Sequence, residues 1–349
     1  MTEVALDAGS PASPAVASGT IQRLRSKLRD PETSLCGKYR VLFSLRNVPG
    51  EEAHEALIDG LNDSSHLFRH EVAFVLGQRQ EPRGVATLSA VLDDASDHPM
   101  VRHEAGEALG AIATPECLAP LEAHVDDPVR EVAETCRLAL ERLRYYAQQE
   151  EQAKRKEAGE GEGPSAASEE EARRYLSVDP APAASRSTPT SALRALLLDE
   201  SAPIFERYRA MFGLRDRGGP EAVEALAAGF GCRSALLKHE LAYVLGQMQD
   251  PVAIDALERV LRDADEAAMV RHEAAEALGA IADDRCVGLL REHTADPEPI
   301  VADSCVVALD VLDSEQRGEF QYADMGLEDE AAEAARARDD APEGRPIAA

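Results

Sequence analysis

Two long segments of this chain occur twice. RHEVAFVLGQ at 69–78 is echoed by KHELAYVLGQ at 238–247, and MVRHEAGEALGAIA at 100–113 is echoed by MVRHEAAEALGAIA at 269–282. Both pairs are 169 residues apart, and the two HE segments within each copy are 33 residues apart. Fixed periods of this kind are typical of repeat architectures, in which each unit packs on its neighbours. The sequence therefore predicts two copies of one module, each of them a stack of repeats.

Apolar residues within the repeats recur at helical spacing. Val101, Ala105, Ala108 and Ile112 fall on one side of a helix, and Pro99 suits its first position. No segment alternates strongly enough to predict a strand, and the signature strings of ankyrin and tetratricopeptide repeats are absent. We predict an all-α protein, an α-solenoid of short HEAT-type two-helix repeats whose two duplicated halves face each other.

Composition divides the chain into five segments. The repeats occupy residues 20–146 and 191–324, which we interpret as an N-terminal and a C-terminal HEAT-repeat half. Between them, we interpret residues 147–190 as an acidic, Pro-rich linker, in which the segments 148–174 and 179–190 are rich in Glu, Ala, Gly, Ser and Pro and are predicted to be disordered. The same reasoning predicts disordered tails at 1–19 and 325–349.

Charge and the lack of targeting signals limit the partners. The 37 basic and 65 acidic side chains give a net charge of −28, which repels nucleic acids and anionic lipids. No apolar stretch approaches the roughly 20 residues that span a bilayer, and residues 1–19 do not have the pattern of a secretory leader. We expect a monomeric cytoplasmic protein without nucleic-acid or membrane partners. Its cysteines form no CxxC pair, so we expect reduced thiols, mostly in the core: Cys36, Cys117, Cys136, Cys232, Cys286 and Cys305.

Four of the nine histidines are followed directly by glutamate, at corresponding places in the repeats. Neighbouring helices pack about 8–10 Å apart, so histidines one repeat apart can converge on one metal ion. A site with two imidazoles, one carboxylate and open coordination positions is typical of non-haem Fe(II) that activates dioxygen. Structural zinc is not indicated, because no cysteine thiolate accompanies these residues. The duplication predicts two such pockets, hence two Fe(II) ions per chain with O₂ as co-substrate. The predicted metal ligands are His70, Glu71, His103, Glu104, His239, Glu240, His272 and Glu273.

A plainer explanation is that duplication copied these residues without any function. His124 and His293 are also 169 residues apart, but neither is followed by glutamate, and we predict no metal binding for them. A basic residue precedes each HE pair and could orient a carboxylate or simply face solvent, so we assign no role to Arg69, Arg102, Lys238 and Arg271.

Other residues near the HE pairs also repeat. Glu107 and Glu276 lie one helical turn after two of the pairs and could support the ligands or face solvent. Phe74 and Tyr243 hold the corresponding places after the other two pairs, and we predict core or pocket-wall positions for them. Four repeated glycines are expected to permit close helix packing or to end helices: Gly77, Gly110, Gly246 and Gly279.

The ordered set of motifs resembles one known family. Two copies of [KR]HE[LV]A[FY]VLGQ, each followed by MVRHEA-x-EALGAIA, are joined through YLSVDPAPA (175–183), and FQYAD (320–324) ends the repeats. This arrangement resembles the deoxyhypusine hydroxylases over about residues 20–146 and 175–325. The acidic insertion at 148–174 departs from the family pattern, as does the extended tail, and neither touches the motifs.

The resemblance implies a di-iron monooxygenase that uses O₂ to hydroxylate the deoxyhypusine side chain of eukaryotic translation initiation factor 5A, which forms hypusine. It implies that one iron is bound by His70, His103 and Glu104. The other iron would be bound by His239, His272 and Glu273. Glu71 and Glu240 would bind metal or hold the cationic amine of the substrate.

Two other functions stay open at this point. A HEAT scaffold could bind a basic protein segment on its concave face without catalysis. Paired metals could instead activate water, which would make the protein a hydrolase. No GxSxG string or Cys/His arrangement predicts nucleophilic catalysis.

Overall fold

This computed structural model describes residues 18–157 and 175–317, and most of these residues lie in helices. These residues form sixteen α-helices and no strand, so the predicted all-α solenoid is confirmed. The first eight helices are α1 Ser18–Arg29, α2 Leu35–Arg46, α3 Glu51–Asp59, α4 His66–Gln78, α5 Val85–Asp93, α6 Pro99–Ile112, α7 Leu118–Ala123 and α8 Arg130–Glu157. The other eight are α9 Thr190–Leu198, α10 Ile204–Arg217, α11 Pro220–Ala228, α12 Ala235–Met248, α13 Ile254–Arg262, α14 Ala268–Ile281, α15 Asp284–His293 and α16 Pro299–Arg317.

Helix starts and ends follow local sequence signals. Pro99 begins α6, and the His98 ring accepts a hydrogen bond of 3.2 Å from the backbone N–H two residues later. Ser65 and Ser234 cap α4 and α12 with their hydroxyl groups in the same way. Ala113 ends α6 in the left-handed region at φ 58°. Side-chain caps thus fix the start of three of the four helices that carry the HE pairs, α4, α6 and α12.

Even-numbered helices form the inner layer of each half, and each odd-numbered helix packs on the even-numbered helix that follows it. The repeated glycines lie where inner helices approach most closely. A Cβ atom on Gly77 would lie 2.7 Å from the Ala108 Cα, and one on Gly246 would lie 3.0 Å from the Ala277 Cα. The predicted packing role of these glycines is confirmed.

Buried ion pairs connect consecutive repeats at the same place in both halves. Arg102 donates to the Leu92 carbonyl and binds Asp127 at 2.6 Å. Arg271 binds Asp296 at 2.6 Å in the corresponding position. Both guanidinium groups are buried, so these two arginines are not the solvated cations that the sequence left possible.

The two halves meet at two seams. At one seam, Arg40 of α2 pairs with Asp310 of α16 at 2.6 Å. At the other, the Ser234 hydroxyl donates to Glu134 of α8 at 2.7 Å. Contacts at both ends hold the halves face to face, with α4, α6, α12 and α14 towards the centre.

The connection between the halves differs from the predicted disordered linker. Helix α8 extends to Glu157, and residues 175–184, here called the strap, pack against both halves. Ala181 is fully buried, and the Ala184 N–H donates to the Arg209 carbonyl at 2.8 Å. The prediction of disorder over 179–190 is therefore wrong, because polar contacts to the helices fix this segment despite its composition. The predicted disorder of 158–174 lies outside the described residues, as do 1–17 and 318–349 with the FQYAD segment.

None of the helices in the two described ranges has both the length and the apolar character of a membrane-spanning helix. All six cysteines are free thiols, and five of them are buried.

Candidate metal centre

The four HE pairs lie on the four inner helices at the centre, one pair on each of α4, α6, α12 and α14. Within the halves, the ring centroids of His70 and His103 are 5.6 Å apart and those of His239 and His272 are 5.2 Å apart. Across the halves, His70 lies 5.4 Å from His272, and His103 lies 5.4 Å from His239. All four rings are buried. The structure thus brings the four histidines into one shared cluster.

Carboxylates enter this cluster in equivalent ways from both halves. His70 Nε2 lies 3.2 Å from Glu104 Oε2, and His239 Nε2 lies 3.3 Å from Glu273 Oε2. His239, His272 and Glu273 offer ligand atoms that all lie within 4.8 Å of one another. This trio is the set that the family resemblance implies for the second iron.

Ligand atoms of the N-terminal half gather in two overlapping groups by the same 4.8 Å measure. One group is His103 with Glu104 and Glu107. The other joins His70 and His103 to His239 of the opposite half. The two sets therefore interleave at the interface and are not separate pockets.

The histidines have open nitrogen atoms where a metal would need them. Both ring nitrogens of His70, His103 and His239, and Nε2 of His272, have no well-formed hydrogen bond within the described residues. Buried polar atoms are normally satisfied, so a group of this kind calls for an explanation. Imidazole and carboxylate donors are those that Fe(II) accepts. The residues present therefore fit a pair of iron ions.

Burial sets the charge state of the imidazoles. It lowers the pKa of His70 to about 4, with a further contribution from His239 nearby. Burial likewise holds the pKa values of His103 and His272 well below the ordinary value. These rings are neutral near pH 7, which is the form that binds metal. For His239, burial works against the charged ring, but the carboxylates of Glu273, Glu104 and Glu107 together outweigh it and raise the pKa.

Carboxyl groups are crowded around the histidines. Burial raises the pKa of Glu104 and of Glu107 to about 8, and neighbouring carboxylates add to the effect. Such crowding is costly unless cations balance it. The six acidic side chains around the cluster are Glu71, Glu104, Glu107, Glu240, Glu273 and Glu276.

Glu71 and Glu240 are buried in the cluster but belong to none of the three groups of close ligand atoms. Burial raises the pKa of both carboxyl groups well above the ordinary value. After burial, the largest contribution comes from the opposite half: Glu276 acts on Glu71, and Glu107 acts on Glu240. Metal ligation by these two residues stays a prediction.

Glu276 lies between the open groove and a histidine of the cluster. Its Oε1 atom lies 3.6 Å from His272 Nδ1, and the Ser304 hydroxyl donates to the same oxygen at 3.3 Å. The Ser304 hydroxyl also lies 3.4 Å from His272 Nδ1, so Ser304 and Glu276 together can orient the His272 ring. Phe74 and Tyr243 meet edge to face at 6.0 Å across the two halves, which makes them pocket walls.

An open groove leads from the surface to this cluster. It encloses about 470 Å³, including solvent space, between α2, α12 and α14. Its lining residues are Arg46, Phe74, Tyr243, Gly246, Gln247, Glu273, Glu276, Ala277 and Ala280. The groove gives a ligand direct access to Glu273 and Glu276.

Some placements confirm the sequence reasoning, and others were missed by it. His124 pairs with Asp93 and Asp127, and His293 bonds the Leu289 carbonyl, so both lie away from the cluster. Sequence reasoning missed Gln78 and Gln247, which both bind the strap. The offset of 169 could have identified these two glutamines as an equivalent pair, because each is the last residue of a VLGQ segment.

Comparisons with known proteins agree with this geometry. A family model for HEAT repeats matches residues 54–141 and 231–310, and one for PBS lyase HEAT-like repeats matches 206–232. The chain is 49% identical to deoxyhypusine hydroxylase of Mus musculus, with 88% of this chain and 96% of that protein covered. It is 47% identical to deoxyhypusine hydroxylase-B of Oryza sativa subsp. japonica, with 86% and 95% covered.

A solved structure of human deoxyhypusine hydroxylase in complex with glycerol superimposes with a TM-score of 0.77 at 47% identity. The alignment covers 85% of this chain and 96% of that chain. The duplicated helical halves, the shared histidine cluster and these similarities together show that the chain belongs to the deoxyhypusine hydroxylase family.

Proposed function

We propose that this enzyme hydroxylates the deoxyhypusine side chain of translation initiation factor 5A, with two Fe(II) ions and O₂, to form hypusine. The observation that carries the proposal is the meeting of all four HE histidines in one buried cluster, where each ring has at least one nitrogen without a hydrogen-bond partner among the described residues. The names of the relatives supply the substrate.

Six protein ligands are proposed for the metals, three from each half, as the family resemblance implies. His70, His103 and Glu104 would bind one ion. His239, His272 and Glu273 would bind the other. When bound, the iron pair would supply the two electrons and the oxidising power by which one oxygen atom of O₂ enters an unreactive C–H bond and the other leaves as water, and an external reductant would return the pair to Fe(II) for the next turnover.

The chain's own residues position the substrate and exclude water. Deoxyhypusine is a lysine whose side-chain nitrogen carries an aminobutyl group, so it brings two cationic amines. Six carboxylates are six negative charges, and two divalent ions neutralise four of them. The two negative charges that remain match the two positive charges of such a diamine. The amines would thus balance the remaining acidic groups, Glu71 among them. Phe74 and Tyr243 provide apolar walls for the methylene chain.

A scaffold without catalysis is not favoured, because a mere docking surface gives no reason for four buried histidines with open nitrogen atoms. Since one chain contributes both sets of ligands, a second copy is not needed to complete the site. We propose that the protein acts as a monomer.

Iron-loaded protein, ¹⁸O₂ and a deoxyhypusine-bearing protein substrate provide the test. The expected product gains one oxygen atom that carries the isotope, and oxygen consumption follows product formation. Hydrolysis would consume no dioxygen and would take oxygen from water. A product without the isotope, or no product from fully iron-loaded protein, would overturn the proposal.

A further inference from the structure

The duplication alone would place two equivalent grooves in the molecule, one on each side of the Phe74–Tyr243 pair. The open groove is bordered by Arg46, Glu276 and Ala280. The offset of 169 places Arg215, Glu107 and Ala111 at the corresponding positions on the other side. A strictly symmetric molecule would therefore admit a substrate from either side.

The strap removes this equivalence. Gln247 Nε2 donates to the Ser177 hydroxyl at 3.0 Å, and the Val178 N–H donates to Gln78 Oε1 at 2.8 Å. Since Gln78 and Gln247 occupy equivalent positions in the two halves, the strap crosses from one half to the other just above the Phe74–Tyr243 pair. Tyr175, before this crossing, and Asp179, after it, both contact Arg215, so the strap lies towards one side.

Asp179 anchors the strap on that side. Its carboxylate accepts two hydrogen bonds from Arg215, at 2.7 and 2.8 Å, and its carbonyl accepts one from Arg142 at 3.0 Å. Arg215 is almost fully buried. The equivalent of Arg215 in the open groove is Arg46, and none of the residues that line this groove belongs to the strap as described, 175–184.

Strap residues occupy the space that would be the second entrance. Val178 and Pro180 line a small cavity together with Glu107 and Ala111, the equivalents of two residues of the open groove. Glu107 lines this covered cavity, whereas its equivalent Glu276 lines the open groove. Of the two HE glutamates, Glu240 is subject to the charges of Glu107 and Asp179, and Glu71 to those of Glu276 and Arg46.

We propose that the strap seals one of the two grooves, so that the cationic side chain of the substrate enters only between Arg46 and the Phe74–Tyr243 pair. In this arrangement Glu71 and Glu276 receive the amines, whereas Glu107 and Glu240 are shielded from the substrate. The inference rests on the proposed function, because it assigns the entrance of that same site. It also assigns different roles to the two HE glutamates that the sequence treats as equivalent.

Alanines at equivalent positions allow a matched test. Ala280→Leu places a larger side chain in the open groove, and Ala111→Leu places the same side chain beneath the strap. We expect the Ala280→Leu protein to lose at least tenfold in kcat/KM for the deoxyhypusine-bearing protein, mainly through KM. We expect Ala111→Leu to change kcat/KM by less than threefold. Iron content and melting temperature, measured for every variant, separate a blocked entrance from damage to the site or the fold.

Valine at each position gives a graded series and replaces leucine if a leucine variant does not fold. KM should rise with side-chain volume at position 280 and stay nearly constant at position 111. The wild type should still hydroxylate the substrate. In that case, an equal loss of kcat/KM in the two series, or a larger loss at position 111, would contradict the proposal that the strap seals one groove. If the iron-loaded wild type makes no product, the proposed function itself fails, and the two failures are thereby distinguished.

Discussion

The two halves share one set of inner-helix motifs, yet equivalent residues at their outer edges make different contacts. Arg46 borders an open groove, whereas its equivalent Arg215 is buried against Asp179 of the strap. Gln78 and Gln247 likewise bind the same segment through different atoms. The duplication therefore provides the twofold cluster of histidines, and the connection between the copies breaks the symmetry around it. A shared centre and a single entrance are two separate consequences of one duplicated sequence.

The largest effects are expected from the histidines of the cluster. His103→Ala in one half and His272→Ala in the other should each lower hydroxylation at least about 100-fold and reduce bound iron. Helical content measured by circular dichroism should stay close to that of the wild type. Equal losses in the two halves would show that both contribute to one centre.

His293→Ala serves as the matched control, since this ring lies outside the cluster and bonds only a nearby carbonyl in the described structure. It should keep its iron and its activity. Full activity of a metal-free His103→Ala/His272→Ala double variant would contradict the metal assignment.

The buried ion pairs test whether the halves are equally stable. Asp127→Asn leaves Arg102 buried without its charge partner, and Asp296→Asn does the same to Arg271. Each should lower the free energy of unfolding by about 3–5 kcal/mol, measured by urea denaturation of metal-free protein. A loss in one half only would show that the halves unfold separately, each with its own stability.

The pH dependence provides an internal control for the first of these pairs. Burial alone would raise the pKa of Asp127. Hydrogen bonds from Arg102, the Val129 N–H and His124 outweigh burial and lower the pKa to about 2. The stabilisation is therefore complete above the ordinary Asp pKa near 4 and is lost as the pH falls towards 2. Between those pH values the wild type should lose more stability than Asp127→Asn. Parallel pH profiles would contradict this role of Asp127.

Close helix approach gives a smaller and graded difference. Gly77→Ala would bring a Cβ to 2.7 Å from backbone, whereas Gly246→Ala would bring it to 3.0 Å. Both should lower the melting temperature and reduce the free energy of unfolding by about 1–3 kcal/mol, and the reduction should be larger for Gly77→Ala. An increase in stability for either variant would show that the helices can separate at no cost.

The smallest expected effect is a gain in stability. Gly288 lies within α15, where a Cβ would meet nothing within 4 Å, and Ala119 holds the equivalent position in the other half. Gly288→Ala should therefore stabilise the protein by about 0.5–1 kcal/mol, seen as a higher denaturation midpoint. Destabilisation would indicate a backbone requirement at this position.

Periodicity in the sequence predicted most of the fold, because repeats of helical spacing permit few ways of burying their apolar faces. It also identified His70, His103, His239 and His272, since one offset relates them. Composition failed for the strap, which is rich in Pro and Ala but is held by Arg215 and the two glutamines. Contacts of that kind join residues far apart in the chain, and no local pattern encodes them. The unequal surroundings of Glu71 and Glu240 were hidden for the same reason.

X-ray absorption spectroscopy at the iron edge of anaerobically loaded protein tests most directly whether both halves build one shared centre. We predict two irons per chain, nitrogen and oxygen neighbours only, and a clear contribution from iron scattering by iron. That contribution should disappear in both His103→Ala and His272→Ala. Two irons without mutual scattering, or sulfur among the neighbours, would contradict a common centre built from the four histidines.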